Sequence, residues 1–328
     1  VNYPWLLEAR QQVAERKASG RLAHAWLISG PRGLGKVEFA LQVAAGLLCM
    51  ASGPAACGAC RSCELLVGGA HPDFSVTTFE LNPETEKLRT VLVVDQIRDI
   101  IATLQLTRSL SPRKVAVIHP AEAMNESAGN ALLKMLEEPP ADTFLLLVSH
   151  DPSRLPSTIR SRCQAVLVRL PEAQAARGWL TSEHGYDAQL SALALAASAG
   201  SPLHAQRMLA TGQVEQYRTF ASCLARLEAR ESTVGEAAAA LADLDPDDMW
   251  KWLSLSTAAK LRACMGPGNS PPPALQQLPR GMAGGNSPAR IAALQNLADR
   301  NRAALFTSLH KDLLLRDWLI QWSRLGNQ

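Results

Sequence analysis

A short apolar run, Ala25-Trp26-Leu27-Ile28-Ser29, opens directly into Gly30-Pro31-Arg32-Gly33-Leu34-Gly35-Lys36, and helical periodicity follows over residues 37–48. This strand–glycine loop–helix unit constrains the fold more than any other stretch. Its glycines let the backbone curl so that N–H groups at the helix start face an anion, and the lysine adds a point charge. Gly30, Gly33, Gly35 and Lys36 are therefore the candidate phosphate-contacting residues. The apolar runs at 115–118 and 144–148 predict two more strands. Between them, residues 127–138 carry Ala131, Leu132, Met135 and Leu136 at helical spacing and stop at Pro139-Pro140. Strands separated by helices imply an α/β fold with a parallel sheet and helices on both faces.

The loop lacks the parts that hold a metal. Nucleotide hydrolysis needs magnesium on the phosphates, held by a loop Ser or Thr and by an acidic residue ending another strand. Val37 stands at the hydroxyl position, and the strand at 115–118 runs into His119-Pro120. Histidine is a poor ligand for a hard ion that prefers oxygen. Glu122 comes later, past a proline, where its geometry is wrong for the role. The residues leave two readings open: a loop retained for packing, or weak nucleotide binding. Hydrolysis by this chain is not expected.

Four of the seven cysteines, Cys49, Cys57, Cys60 and Cys63, form a C-x7-C-x2-C-x2-C array. Such spacing lets four thiolates meet one tetrahedral ion, with turns supplied by Ser52-Gly53-Pro54 and Gly58. The expected cofactor is structural Zn2+, whose binding, worth on the order of 10 kcal/mol, staples an insertion too small to own a core. A redox pair would leave two cysteines unexplained. Cys163, Cys223 and Cys264 read as small buried hydrophobes.

Length allows two or three domains. A net charge of +3 is too small to argue nucleic-acid binding, and the 47% apolar and 19% charged fractions suit a globular chain. No run of 18 apolar residues suggests a membrane span. The start, Val1-Asn2-Tyr3-Pro4-Trp5, lacks a signal-peptide pattern, so the cytoplasm is the expected compartment. The character changes at Leu170-Pro171. Short helices broken at Gly185 and at Gly200-Ser201-Pro202 follow, and the chain is helical from about Gln213. Residues 266–288 are an exception, rich in Gly, Pro and Ser, and read as a loop or linker. The last helical stretch, 289–324, carries Trp318 and Trp322, which fit either core packing or a partner surface.

The stretch Asn130-Ala131-Leu132-Leu133-Lys134-Met135-Leu136-Glu137-Glu138-Pro139-Pro140 resembles the signature of bacterial clamp-loader subunits, members of the AAA+ superfamily. Ser161-Arg162-Cys163 resembles the serine-arginine-cysteine motif of the same group. His24-Ala25, the glycine loop, the cysteine array and Gly200-Ser201 fall in matching order, so the resemblance covers roughly the first two-thirds of the chain. It implies an AAA+-type α/β domain with a zinc-knuckle insertion over residues 1–169. A small helical lid would occupy 170–211 and an all-α collar 212–328.

Within that group, the motor subunits would carry Thr or Ser at 37, Asp-Glu at 119–120, and an arginine where this chain has Pro202-Leu203-His204. All three departures imply a subunit that does not hydrolyse ATP. The resemblance then gives Arg162 a role as an arginine finger, completing a neighbouring motor subunit's ATP site in trans; such fingers contribute about 10³–10⁵ in rate. Ser161 and Cys163 would position it. Ser149 would fall at the position that senses the γ-phosphate. Implied partners are the motor subunits and the clamp-opening subunit in a hetero-oligomer, with the sliding clamp and primed DNA reached through the assembly. Arg108, Arg113 and Lys114 read as solvated loop charges, DNA contact being the sharper alternative. Two other functions stay open: an active AAA+ ATPase with unusual metal ligation, and a zinc-containing nucleic-acid-binding adaptor.

Overall fold

A computed structural model describes residues 3–20, 22–51, 53, 55–82, 85–264, 288–303 and 310–325. The chain divides at Leu170–Pro171 into two compact units. In the first, α1 (Leu7–Ala18) precedes β1 (Ala25–Ser29), α2 (Lys36–Leu48), α3 (Arg61–Val67), β2 (Phe74–Thr77), α4 (Val94–Gln105) and β3 (Lys114–Ile118). Then come α5 (Glu126–Glu137), β4 (Thr143–Ser149), α6 (Ser157–Arg160) and β5 (Gln164–Leu167). The five strands form one parallel sheet in the order β2-β3-β4-β1-β5.

Every residue of β1, β3 and β4 is buried, as expected for central strands covered on both faces, whose sequences read as continuous apolar runs. On one face Ile97, Ile100 and Leu104 of α4 join Leu132, Met135 and Leu136 of α5 against the sheet. α5 begins at Glu126 because the Asn125 side chain accepts a hydrogen bond from the Ala128 N–H at 2.8 Å. It ends at Glu137, just before the proline pair. β4 is longer than the expected strand by one residue at each end. Lys114, expected as a solvated charge, is instead buried at the start of β3, with its amine donating to the Thr103 carbonyl at 2.5 Å. Neither is Arg108 a free cation, since it pairs with Asp142 at 2.8 Å, and the Arg113 guanidinium lies over the Phe144 ring.

The second unit is helical throughout its described residues: α7 (Ala173–His184), α8 (Ala188–Ala197), α9 (Pro202–Ala210), α10 (Gln213–Glu228), α11 (Val234–Leu241), α12 (Pro246–Cys264), α13 (Pro288–Ala303) and α14 (Lys311–Ser323). The breaks fall where glycine and proline demand them. Gly185, at φ +69°, caps α7 in the left-handed conformation, and Pro202 sits in the first turn of α9. Trp318 and Trp322 are fully buried and stacked at 5.1 Å, so of their two readings core packing is the one observed. Lys260 crosses that core, paired with Glu228 at 2.9 Å and lying 4.6 Å from the Trp322 ring centre. Cys223 is buried as expected, Cys163 half-buried, and Cys264 exposed at the end of α12, where no partner helix covers it among the described residues. The loop expected at 266–288 lies outside the described residues except Pro288, and Ser52 and Pro54 lie outside them too. Among the described residues no helix is long and apolar enough to cross a membrane.

Candidate functional site

The glycine loop connects β1 to α2, and Gly35 takes φ +73° to start the helix. Two of its glycines answer to packing. A Cβ on Gly30, at φ +147°, would lie 2.0 Å from the Val168 carbonyl oxygen; one on Gly35 would lie 2.3 Å from the Tyr3 ring. Tyr3 stacks on Trp5, whose indole N–H donates to the Leu34 carbonyl at 2.9 Å. The N-terminal aromatics thus lie directly on the loop. Lys36 is 3% exposed and turns back, its amine donating to the Pro31 carbonyl at 2.5 Å. Burial pushes its pKa down to about 8, with the Glu122 carboxylate opposing the shift.

Around that lysine the sequence places His119, Glu122, Ser149 and His150. His119 leaves β3 through a cis bond to Pro120, and its Nε2 stands 3.2 Å from Nε2 of His150. Burial lowers both imidazoles, His150 to about 3, with Lys36 and then His119 adding to the effect on His150. A neutral imidazole pair therefore occupies the ends of β3 and β4. One Glu122 oxygen accepts from the His150 N–H at 3.0 Å, and its other oxygen and the Ser149 hydroxyl are buried without a hydrogen-bond partner. His150 and Tyr3 escape sequence reasoning. His150 had a usable signal: continuing the β3–β4 register beyond Ile118–Leu147 sets His119 opposite Val148, and His150, two residues on, returns to the same face. Tyr3 had none.

The four array cysteines come together. Their Sγ atoms all lie within 4.8 Å of one another, with Cys60–Cys63 at 3.5 Å, Cys49–Cys60 at 3.9 Å and Cys57–Cys63 at 4.0 Å. Thiolates bound tetrahedrally at the Zn–S distance of about 2.3 Å stand about 3.8 Å apart, so the set fits Zn2+. Backbone N–H groups of Cys63 and Met50 hold the Cys60 thiol down to about 6, which favours the thiolate a metal needs. A four-cysteine site is closed and supplies folding energy, with no open position for chemistry.

A buried polar cluster seats this insertion on the sheet. The Ser62 and Ser111 hydroxyls both reach the Leu48 carbonyl at 2.8 Å, and both lie within 3.0 Å of Nε2 of His71. Asp73 then accepts the backbone N–H groups of Ser109, Leu110 and Ser111, each at 2.8 Å.

Arg162 sits apart from both sites, in the turn between α6 and β5. Its Nη2 pairs with Glu137 at 2.7 Å and its Nη1 donates to the Thr158 carbonyl at 2.9 Å. Cys163 packs against the core under α5, and the Ser161 hydroxyl donates to Thr158.

Parallel sheet, glycine loop and flanking helices, followed by a helical second unit, define an α/β protein of the phosphate-loop type. Residues 7–172 match the family model described as DNA polymerase III, delta subunit. DNA polymerase III subunit delta' of Pseudomonas aeruginosa is 36% identical over 335 aligned residues covering 98% of each chain. The proteins of that name from Haemophilus influenzae and Escherichia coli are 37% and 38% identical, over 66% and 61% of this chain and 64% and 58% of theirs. The chain belongs to the DNA polymerase III subunit delta' family.

Proposed function

We propose that this chain is the non-hydrolysing, rigid member of a bacterial clamp loader, and that it places Arg162 as an arginine finger in the ATP site of a neighbouring motor subunit. The observation that carries the reading is the state of its own phosphate loop. Lys36 is committed to Pro31 within the loop, Tyr3 lies against Gly35, and His119, paired with His150, stands with Pro120 where carboxylates would hold magnesium. Val37 offers no metal-binding oxygen. These features support a site without ATPase activity of its own. The guanidinium of Arg162, at 36% side-chain exposure, is within reach of a partner, and a cation supplied in trans stabilises charge developing on a γ-phosphate.

In this reading the second unit comprises a small lid at 170–211 and a collar at 212–328 that joins the ring. Zn2+ at Cys49, Cys57, Cys60 and Cys63 is structural. The partners are the motor subunits and the clamp-opening subunit, the sliding clamp and primed DNA are met through the assembly, and the compartment is the cytoplasm. The test is ATP hydrolysis with magnesium, by this chain alone and then by the complete assembly. Silence alone, and a loss of about 10³-fold or more at the neighbouring site when Arg162→Ala is assembled, is the expected result. Turnover by the isolated chain that disappears in Lys36→Ala would refute it.

A further inference from the structure

The contacts of Arg162 single out a residue that neither the family match nor the serine-arginine-cysteine motif assigns to the finger. An arginine side chain is long, rich in rotamers, and presents five N–H donors in a planar fork. Here both terminal nitrogens are engaged on the chain itself: Nη2 in an ion pair with the Glu137 carboxylate at 2.7 Å, and Nη1 donating to the Thr158 carbonyl at 2.9 Å. The two anchors come from different elements. Thr158 lies in α6, four residues before the arginine, and Glu137 is the last residue of α5. A hydrogen bond on one terminal nitrogen and an ion pair on the other restrain the position and tilt of the planar group.

Glu137 itself is supported from below. It follows Leu132, Met135 and Leu136, which are buried in the core that α5 makes against the sheet and α4, and its helix stops at Glu138-Pro139-Pro140. The carboxylate is therefore carried on a rigid helix end. Helix α6, by contrast, is a single turn of four residues.

We infer that Glu137 is a positioning residue for Arg162: it holds the guanidinium in one orientation before the neighbouring ATP site closes on it. The inference rests on the arginine-finger reading above and deepens it. A half-exposed ion pair of this kind is worth up to about 1 kcal/mol, a factor of about two to five, so Glu137 accounts for orientation and Arg162 for the bulk of the rate.

The test is a double-mutant cycle in the complete assembly, reading ATP turnover and KM for wild type, Glu137→Ala, Arg162→Ala and the double variant. Glu137→Ala is expected to lower kcat about two- to fivefold with KM for ATP unchanged, and to do nothing further when Arg162 is already alanine. Thermal unfolding and zinc content of each variant chain verify that it folds. An unaltered kcat in Glu137→Ala overturns the inference and leaves the finger standing. So does a loss of the same factor in the presence and absence of Arg162, which would mark a structural role. If Arg162→Ala leaves turnover at the wild-type level, the finger reading and this inference fall together.

Discussion

Replacing Lys36 with methionine should make the N-terminal unit more stable at neutral pH, although it removes the residue most associated with phosphate binding. The amine is 3% exposed and holds a pKa near 8 against its usual 10.5. Charged lysine is thus disfavoured in the folded state. Below pH 8 both folded and unfolded chains carry the proton, and the penalty is present in full, at 1.36 kcal/mol per pKa unit about 3 kcal/mol. As pH rises from 8 to 10.5 the unfolded chain binds more protons than the folded one, so stability increases and the penalty fades. Methionine fills similar space without a charge but gives up the bond to the Pro31 carbonyl, a loss of about 1 kcal/mol. The variant should therefore gain about 2 kcal/mol at pH 7, and the gap should close by about pH 9.5. Urea unfolding of the two proteins at both pH values, followed by pulse proteolysis of the N-terminal unit, measures this. A variant less stable than wild type at pH 7, or a gap that does not change with pH, would refute the reasoning.

Gly30→Ala should destabilise the same unit by about 3 kcal/mol or more, because the added carbon would meet the Val168 carbonyl oxygen at 2.0 Å and neither backbone can move without disturbing the β1–β5 pair. Unfolding in urea checks it, and a change under 1 kcal/mol counts against packing as the glycine's purpose. Cys60→Ser should release one equivalent of zinc, read by a chromogenic chelator, and shift thermal unfolding downward; retention of stoichiometric zinc would contradict the four-thiolate site.

Much of the first unit was legible because its signals are local. β1, β3 and β4 are buried on both faces and so read as unbroken apolar runs. The cysteine spacing fixed which four thiols could converge, and they do. β2 and β5, at the sheet edges, escape notice because four residues of mixed burial carry too little period. The charge of Lys114 misleads for a different reason. Its position at a strand start looks solvated, whereas its amine reaches across to the end of α4. At the candidate site, composition identifies the missing carboxylates and hydroxyl, but what replaced them depends on strand register and on an aromatic segment more than 25 residues from the loop's far end. Nothing in the motif around Arg162 states that Glu137 meets its guanidinium, since that pairing is made by how α5 and α6 pack.

The Leu48 carbonyl receives two hydroxyls from separate segments of the chain: Ser62 from inside the cysteine insertion and Ser111 from the approach to β3. One oxygen atom thus serves as a shared hinge pin between a metal-stapled loop and the edge of the sheet. Losing the metal would not simply loosen an appendage, because Ser62 leaving its place would strip His71 and Ser111 of a partner in a buried setting. The insertion and the β2–β3 edge should then open and close as one cooperative unit, so that amide exchange in the two would report a single free energy.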